Sequence, residues 1–142
     1  MEEWEKNIRG AWDYNPECMK FHAAIWESST EILKGLEVQV VIDSKDRLHI
    51  SSGSPGYVSF SVDPVGMSLP VKCWIHTHPF GQAYWSSVDW HTIDTWRPLM
   101  KQAIVLGFNQ FGIWEQGNGY NWLHVTKQLD SFRTTLYEDD EE

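Results

Sequence analysis

The sequence predicts a single domain of the α/β (α+β) class. Segments with apolar residues at helical spacing are interspersed with short β-branched runs typical of strands along its 142 residues. A hydrophobic fraction of 42%, with nine tryptophans, is enough for a core that needs no disulfide support. No internal repeat and no linker divides the chain. We expect one domain over residues 1–136 and a disordered acidic tail over residues 137–142.

The first predicted helix lies within residues 16–35. Asn15-Pro16-Glu17 is a typical helix start, with a capping side chain, a proline at the first helical position and an acid in the first turn. Gly35 marks the expected end. The apolar stripe of this helix comprises Cys18, Phe21, Ile25, Ile32 and Leu36, and Ser29 interrupts it. One continuous helix and a helix broken near Ser28 both fit this pattern.

The remaining pattern is mostly β. Residues 37–43 form a β-branched run, a turn follows at 43–46, and a returning strand begins at 47–50. Further strands are predicted at 57–62, 71–78 and 103–108, and weaker strands at 112–115 and 122–126. A second helix is predicted to start at Ser86 or Ser87 and to run until Pro98 disrupts it.

The strand at 71–78 carries two histidines on one face. Alternation places Val71, Cys73, Ile75 and Thr77 on one side, and Lys72, Trp74, His76 and His78 on the other. The two histidines are therefore about 7 Å apart along the strand and point the same way. Cys73 is best explained as a core residue.

The two histidines and Asp89 form a candidate catalytic metal site. Asp89 falls in the first turn of the second helix, which lets it face back across the loop. Three protein ligands leave a zinc ion one position for water, and zinc lowers the pKa of that water to about 7. Ser86 offers a nearby hydroxyl suited to hydrogen-bonding an oxyanion. We therefore expect one Zn²⁺ per chain.

The segment from Val71 to Asp89 resembles the metal motif of the JAMM (MPN-plus) metalloproteases. That motif is H-[ST]-H-P followed by S-x-x-D, with seven residues between the second histidine and the serine, as in His76-Thr77-His78-Pro79 and Ser86-Ser87-Val88-Asp89. Trp74, two residues before the first histidine, is also common in that family. The resemblance implies a JAMM/MPN-like mixed sheet flanked by helices, with an architecture related to cytidine deaminases.

The resemblance also implies a catalytic glutamate upstream of the histidines. Glu37 fits best because it begins a strand soon after the first helix, whereas Glu27 and Glu31 are the alternatives and look like helix-surface residues. The small residues and glycine that often follow this glutamate are missing from Gln39-Val40-Val41-Ile42. Glu37 and Ser86 are thus the predicted catalytic residues.

The implied reaction is hydrolysis of a peptide or isopeptide bond. Because 38 residues separate Glu37 from His76, the chain resembles the compact prokaryotic or viral members of the family. The implied substrate is a protein or peptide, with cleavage after the C-terminal Gly-Gly of a ubiquitin-like or sulfur-carrier protein as one option. A phage-tail peptidase, a non-proteolytic zinc amide hydrolase and a catalytically silent MPN-like scaffold remain alternatives. Deamination is disfavoured because no cysteine pair matches the deaminase ligand set.

Composition excludes several other classes of function. A net charge of −9 argues against a nucleic-acid surface, which needs clustered lysine and arginine. The N-terminus shows no signal peptide, and no apolar stretch is long enough to span a bilayer, so we expect neither secretion nor membrane insertion. Cys18 and Cys73 are expected to be buried thiols in a reducing cytoplasm, although a virion component would look the same.

Other polar and aromatic residues receive structural interpretations. His91 is expected at the helix surface or next to the ligands. Tyr84, Trp85 and Trp90 flank the site and are predicted to pack there or to form cleft walls. The remaining histidines, His22, His49 and His124, are predicted to be structural.

Overall fold

The computed structural model describes residues 2–53, 67–108, 110–117 and 119–121. The helical elements are α1 (Glu3–Ala11), α2 (Met19–Glu27), a π-helical turn (Ser28–Ile32), α3 (Ser87–Trp96) and a 3-10 turn (Arg97–Leu99). The strands are β1 (Glu37–Ile42), β2 (Leu48–Gly53), β3 (Cys73–Thr77), β4 (Gln102–Gly107), β5 (Gln110–Glu115) and β6 (Gly119–Asn121). The predicted strands at 57–62 and 122–126 and the predicted tail at 137–142 lie outside these described residues.

The six strands form one mixed sheet in the order β2-β1-β3-β4-β5-β6. Only the β3–β4 pair is parallel among these neighbours. A parallel pair needs a crossover connection, and α3 lies within it. The mixed sheet flanked by helices is therefore confirmed. Among the described residues, no helix is both long and apolar enough to cross a membrane.

Two apolar clusters cover the two faces of the sheet. The first contains buried residues of α1 and α2, including Ile8 and Phe21, and the second contains Ile93 of α3. Strand β3 contributes to both by alternation, with Cys73 and Ile75 in the first cluster and Trp74 in the second. The packing interpretation of Cys73 is thus confirmed, and both cysteines are free thiols, although Cys18 is only partly buried.

The predicted face of Val71 is wrong. Val71 packs in the same cluster as Trp74, on the α3 side of the sheet. It precedes β3 and forms an isolated parallel bridge with Met100, which precedes β4, so the strict alternation begins at Cys73.

The first predicted helix begins later than expected, at Met19 instead of Pro16. The Asn15 side-chain oxygen accepts a hydrogen bond from the backbone N–H of Glu17 at 3.0 Å, which holds these residues in a turn. In addition, His22 Nε2 lies 2.6 Å from the Pro16 carbonyl oxygen and ties this turn to the helix. Asn15 and Pro16 therefore belong to a turn that precedes α2, and they are not the first residues of the helix.

The interruption at Ser29 has a structural cause. The Ser29 hydroxyl is completely buried and lies 2.6 Å from the Leu36 carbonyl oxygen and 2.7 Å from Thr77 Oγ1. Thr77 Oγ1 in turn accepts a hydrogen bond from Val38 N at 2.9 Å. This polar link joins the π-helical turn to the start of β1 and the end of β3, so it fixes the part of the sheet from which the site is built.

Helix α1 was not predicted. Its buried residues are Trp4 and Ile8, four positions apart on one helix face, and most of its other residues are charged or polar. Trp4 and Ile8 pack in the first apolar cluster, but two apolar positions are too few to form a recognisable stripe.

Candidate metal centre

The end of β3 presents the two histidines. His76 lies on the face of β3 that carries Trp74 and looks toward α3, and His78 follows one residue after the strand ends at Thr77. The two imidazole rings are 5.2 Å apart between centroids and meet edge to face. The strand alternation therefore gives the predicted common direction for both side chains.

The start of α3 presents the carboxylate. Ser86 is the N-cap of this helix, and its hydroxyl oxygen accepts from Asp89 N at 3.1 Å, while Ser86 N donates to Asp89 Oδ2 at 2.9 Å. This reciprocal capping box satisfies two donors at the helix start. It also holds the Asp89 side chain toward β3, which agrees with the predicted position in the first helical turn.

The three side chains converge at one buried point. Nε2 of His76 lies 3.0 Å from Asp89 Oδ1, and Nε2 of His78 lies 3.2 Å from Asp89 Oδ2. One potential ligand atom from each residue lies within 4.8 Å of the other two, and all three residues are buried. Bond lengths of about 2.0–2.2 Å in tetrahedral zinc sites imply ligand separations of about 3.3 Å. His76, His78 and Asp89 could therefore hold a metal ion with little movement.

The imidazole nitrogens supply a test of this fit. His76 Nδ1, His76 Nε2 and His78 Nδ1 are buried and make no hydrogen bond with any described residue. For His76 Nε2 this holds despite its 3.0 Å separation from Asp89, because the contact lacks hydrogen-bond geometry. Buried polar atoms normally have partners, and an unpaired one costs free energy. A metal ion would satisfy the nitrogen that points at the carboxylate.

The electrostatics of Asp89 also suit a ligand. Burial by itself would raise the pKa of this carboxyl group, but the charge of His76 and the contacts from His76, His78 and the Ser86 N–H outweigh it and hold the pKa well below its usual range. The group is thus an ionised carboxylate, which is the form that binds a metal.

The sheet register brings Glu37 to the same place. Gln39 of β1 pairs with His76 of β3 in an antiparallel register, so residues at odd positions of β1 share the face of His76. Glu37, at the start of β1, lines a cleft together with His76, Ser86 and Asp89. Trp74, Val88 and Thr92 complete the lining of this cleft.

The two alternative glutamates lie elsewhere. Glu27 ends α2 and Glu31 belongs to the π-helical turn, and both are exposed and absent from the cleft lining. Of the three candidates, only Glu37 lines this cleft. Ser86 keeps its hydroxyl proton available, because its oxygen serves the helix cap only as an acceptor.

Two contacts of the centre were not predicted from the sequence. The indole of Trp74 stacks on the His76 ring with centroids 4.2 Å apart and planes 10° apart, and its Nε1–H donates to Gln39 Oε1 at 3.0 Å. Alternation along β1 could have indicated Gln39, because a polar residue two positions after Glu37 shares its face. Among the predicted flanking aromatics, Tyr84 meets the His78 ring edge to face at 4.6 Å.

Other residues near the motif have no place in the cleft. Lys72 forms an ion pair with Asp46, and His91 is exposed on α3. His22 is completely buried against Phe111, and His49 contacts Asp43, so both have structural surroundings as predicted. His124 lies outside the described residues.

Comparisons with known proteins give no relative: no family model, no curated protein and no solved structure matches the chain. The functional argument therefore depends on the geometry of the centre and on the chemistry of its residues.

Proposed function

We propose that this protein is a zinc-dependent metallopeptidase of the JAMM type that hydrolyses a peptide or isopeptide bond. The observation that carries the proposal is the convergence of two histidines and an aspartate beside a separate carboxylate, Glu37, in one cleft. Three metal ligands by themselves would also be compatible with a metal ion that has only a structural role. A carboxylate that is separate from the three ligands is what hydrolysis requires, because the attacking water needs a base that is not itself a ligand.

The donor set supports zinc as the metal. Two imidazoles and one carboxylate are borderline ligands that suit zinc, and three protein ligands are the number found in catalytic zinc sites. A zinc ion held by His76, His78 and Asp89 would polarise a carbonyl group and make water nucleophilic at neutral pH.

The chain's own residues then have separate roles. The Glu37 carboxylate accepts the proton of the attacking water and passes it to the leaving amine. The Ser86 hydroxyl donates a hydrogen bond to the oxyanion that develops on the scissile carbonyl. The capping box keeps this serine and Asp89 in a fixed relation, since each bonds the backbone of the other.

The shape of the cleft favours a substrate without side chains at the reacting bond. The cavity volume is only about 30 Å³, and Trp74, Val88 and Thr92 line it beside the polar residues. A Gly-Gly sequence presents only backbone. We therefore propose the C-terminal Gly-Gly of a ubiquitin-like or sulfur-carrier protein, joined to an amine through a peptide or isopeptide bond, as the substrate.

The decisive experiment compares Glu37→Gln with wild type on a ubiquitin-like protein fused through Gly-Gly to a reporter. We expect cleavage after Gly-Gly by the zinc-loaded wild type, loss of cleavage with chelator, and a decrease of about 10²–10⁴-fold in kcat for the variant at unchanged zinc content. Glu31→Gln is the matched control, because Glu31 is exposed and outside the cleft. Full activity of Glu37→Gln would refute its role as base, and a wild type that binds the fusion without cutting it would indicate a scaffold.

A further inference from the structure

We propose that Gln39 is a positioning residue for the metal ligand His76 and that it acts through the indole of Trp74. The inference rests on the proposed metal site and extends it to a residue of β1 that touches neither metal nor substrate. Gln39 would orient Trp74, and Trp74 would in turn orient the His76 ring.

The contact between Gln39 and Trp74 and the contact between Trp74 and His76 are both short and buried. Trp74 Nε1–H donates to Gln39 Oε1 at 3.0 Å, and Gln39 and Trp74 are only 4% and 3% exposed. The indole then covers the His76 ring almost in parallel, with planes 10° apart and centroids 4.2 Å apart. A hydrogen bond in such a dry place is costly to lose, because its donor and acceptor have little access to water.

The His76 ring needs this support because no hydrogen bond from Nδ1 to a described residue fixes its rotation. A ligating histidine usually donates its second ring N–H to a carboxylate, a carbonyl or a water, and that bond sets the ring orientation. His76 Nδ1 is buried and has no hydrogen-bond partner among the described residues. The torsion that turns an imidazole about its Cβ–Cγ bond is broad, so an unsupported ring would sample orientations that miss the metal. Stacking on a fixed indole removes that freedom.

The sheet places these three side chains on one face. Gln39 pairs directly with His76, and Val41 pairs with Trp74, so the glutamine is the diagonal neighbour of the tryptophan across the two strands. Val41 contacts the same apolar cluster as Trp74 but offers no hydrogen-bonding side chain. It therefore provides a control position on the same strand and the same face.

The test measures the zinc dissociation constant by competition with a chelator for wild type, Gln39→Met, Trp74→Phe and the double variant. Gln39→Met removes the hydrogen bond while keeping the length of the side chain, and Trp74→Phe removes it while keeping an aromatic ring next to His76. We expect each variant to weaken zinc binding about tenfold. The double variant should also lose about tenfold instead of about 100-fold, since both changes break one link. Gln39→Glu retains an acceptor and should keep the affinity of wild type or exceed it.

Val41→Ala distinguishes positioning from general destabilisation. This control should lower the melting temperature through lost packing and leave the zinc dissociation constant unchanged. Trp74→Phe tests the bond from its other end if Gln39→Met does not fold. Unchanged zinc affinity in the single variants, with wild type binding one zinc ion, would overturn the positioning role and leave the metal site standing. A wild type without zinc affinity would instead overturn the metal site itself.

Discussion

The candidate metal centre and the β1–β2 turn each bury an aspartate beside histidine, but the hydrogen bonding of their polar groups differs. In the turn, Asp43 contacts His49 at 3.0 Å, and in the centre Asp89 contacts His76 and His78 at 3.0 and 3.2 Å. Both carboxyl groups have a pKa well below the usual range. In both cases burial alone would raise the pKa, and the partners reverse this effect. The pKa therefore does not distinguish the two sites.

The accounting of hydrogen bonds does distinguish them. Asp43 accepts bonds from the backbone N–H groups of Lys45, Arg47 and Ser68 and from the Arg47 guanidinium, in addition to His49. The Asp43 side chain is inaccessible to solvent, because the groups that donate these hydrogen bonds surround it. The side chain of His49, in β2, is 28% exposed, whereas those of His76 and His78 are 4% and 9% exposed.

This difference in hydrogen bonding distinguishes a structural aspartate from a candidate metal ligand. Donors of its own protein surround Asp43, so the turn is complete without any further group. The centre instead leaves three imidazole nitrogens buried without hydrogen-bond partners among the described residues. One of these nitrogens, His76 Nε2, faces the ionised Asp89 carboxylate, so a cation that the three residues could hold would satisfy it. The following predictions test this contrast.

The largest effect is expected on zinc binding by Asp89→Asn. Loss of the charged ligand should weaken zinc binding more than about 100-fold, beyond what changes around a ligand usually cost. Zinc per chain after dialysis, measured by elemental analysis, should fall from one to near zero. Asp43→Asn is the matched control and should retain its zinc. Equal zinc content in the two variants would contradict the assignment of Asp89 as a ligand.

The second largest effect is expected from Asp43→Ala, which should lower the stability of the folded protein. Removing this acceptor leaves several partly buried donors unpaired, which should lower the free energy of unfolding by about 3 kcal/mol. Urea titration of the metal-free protein measures this difference, and zinc content per folded chain should not change. A cost below about 1 kcal/mol would mean that the turn tolerates the loss of its central acceptor.

A smaller, pH-dependent effect is expected from His22. Burial lowers the pKa of His22 from 6.5 to about 4, although its hydrogen bond to Pro16 acts in the opposite direction. The unfolded chain therefore binds this proton first as the pH falls, so the stabilising contribution is complete above pH 6.5 and is lost toward pH 4. Between pH 7 and pH 5 the loss should be about 2 kcal/mol.

Urea titrations of wild type and His22→Gln at several pH values measure this contribution. The variant should lack the extra loss of stability between pH 7 and pH 5. The contributions of Asp43 and Asp89 belong to a lower pH range, because their pKa values in the folded state lie below 3.8. Parallel pH profiles for the two proteins would show that His22 is not held in its neutral form by burial.

Much of the centre was predictable because its residues are close in sequence and follow simple periodicities. Alternation placed His76 and His78 on one face, and the capping pattern placed Asp89 in the first turn of α3. The choice of Glu37 over Glu31 could not be made from spacing alone, since it depends on the register between β1 and β3. Gln39 was missed for the same reason, because its contact with Trp74 crosses between strands.

The errors in the fold also have physical causes. The start of α2 was misplaced because Asn15 and Pro16 suit a turn as well as a helix start. Helix α1 was missed because it buries little besides Trp4 and Ile8. Such elements depend on tertiary contacts more than on local pattern, so the sequence gives little notice of them.

The antiparallel pairing of β1 with β3 has a practical consequence for how this protein must be assayed. The proposed metal ligands all come from the short stretch between His76 and Asp89, whereas Glu37 and Gln39 depend on the alignment of a distant strand. A slip of one residue in that alignment would turn both β1 side chains to the opposite face of the sheet. Such a misfolded chain would bind zinc more weakly without Gln39, but it would keep all three proposed ligands and could be loaded with excess zinc. A preparation with full zinc content can thus be inactive, and metal analysis alone is a poor criterion of its quality.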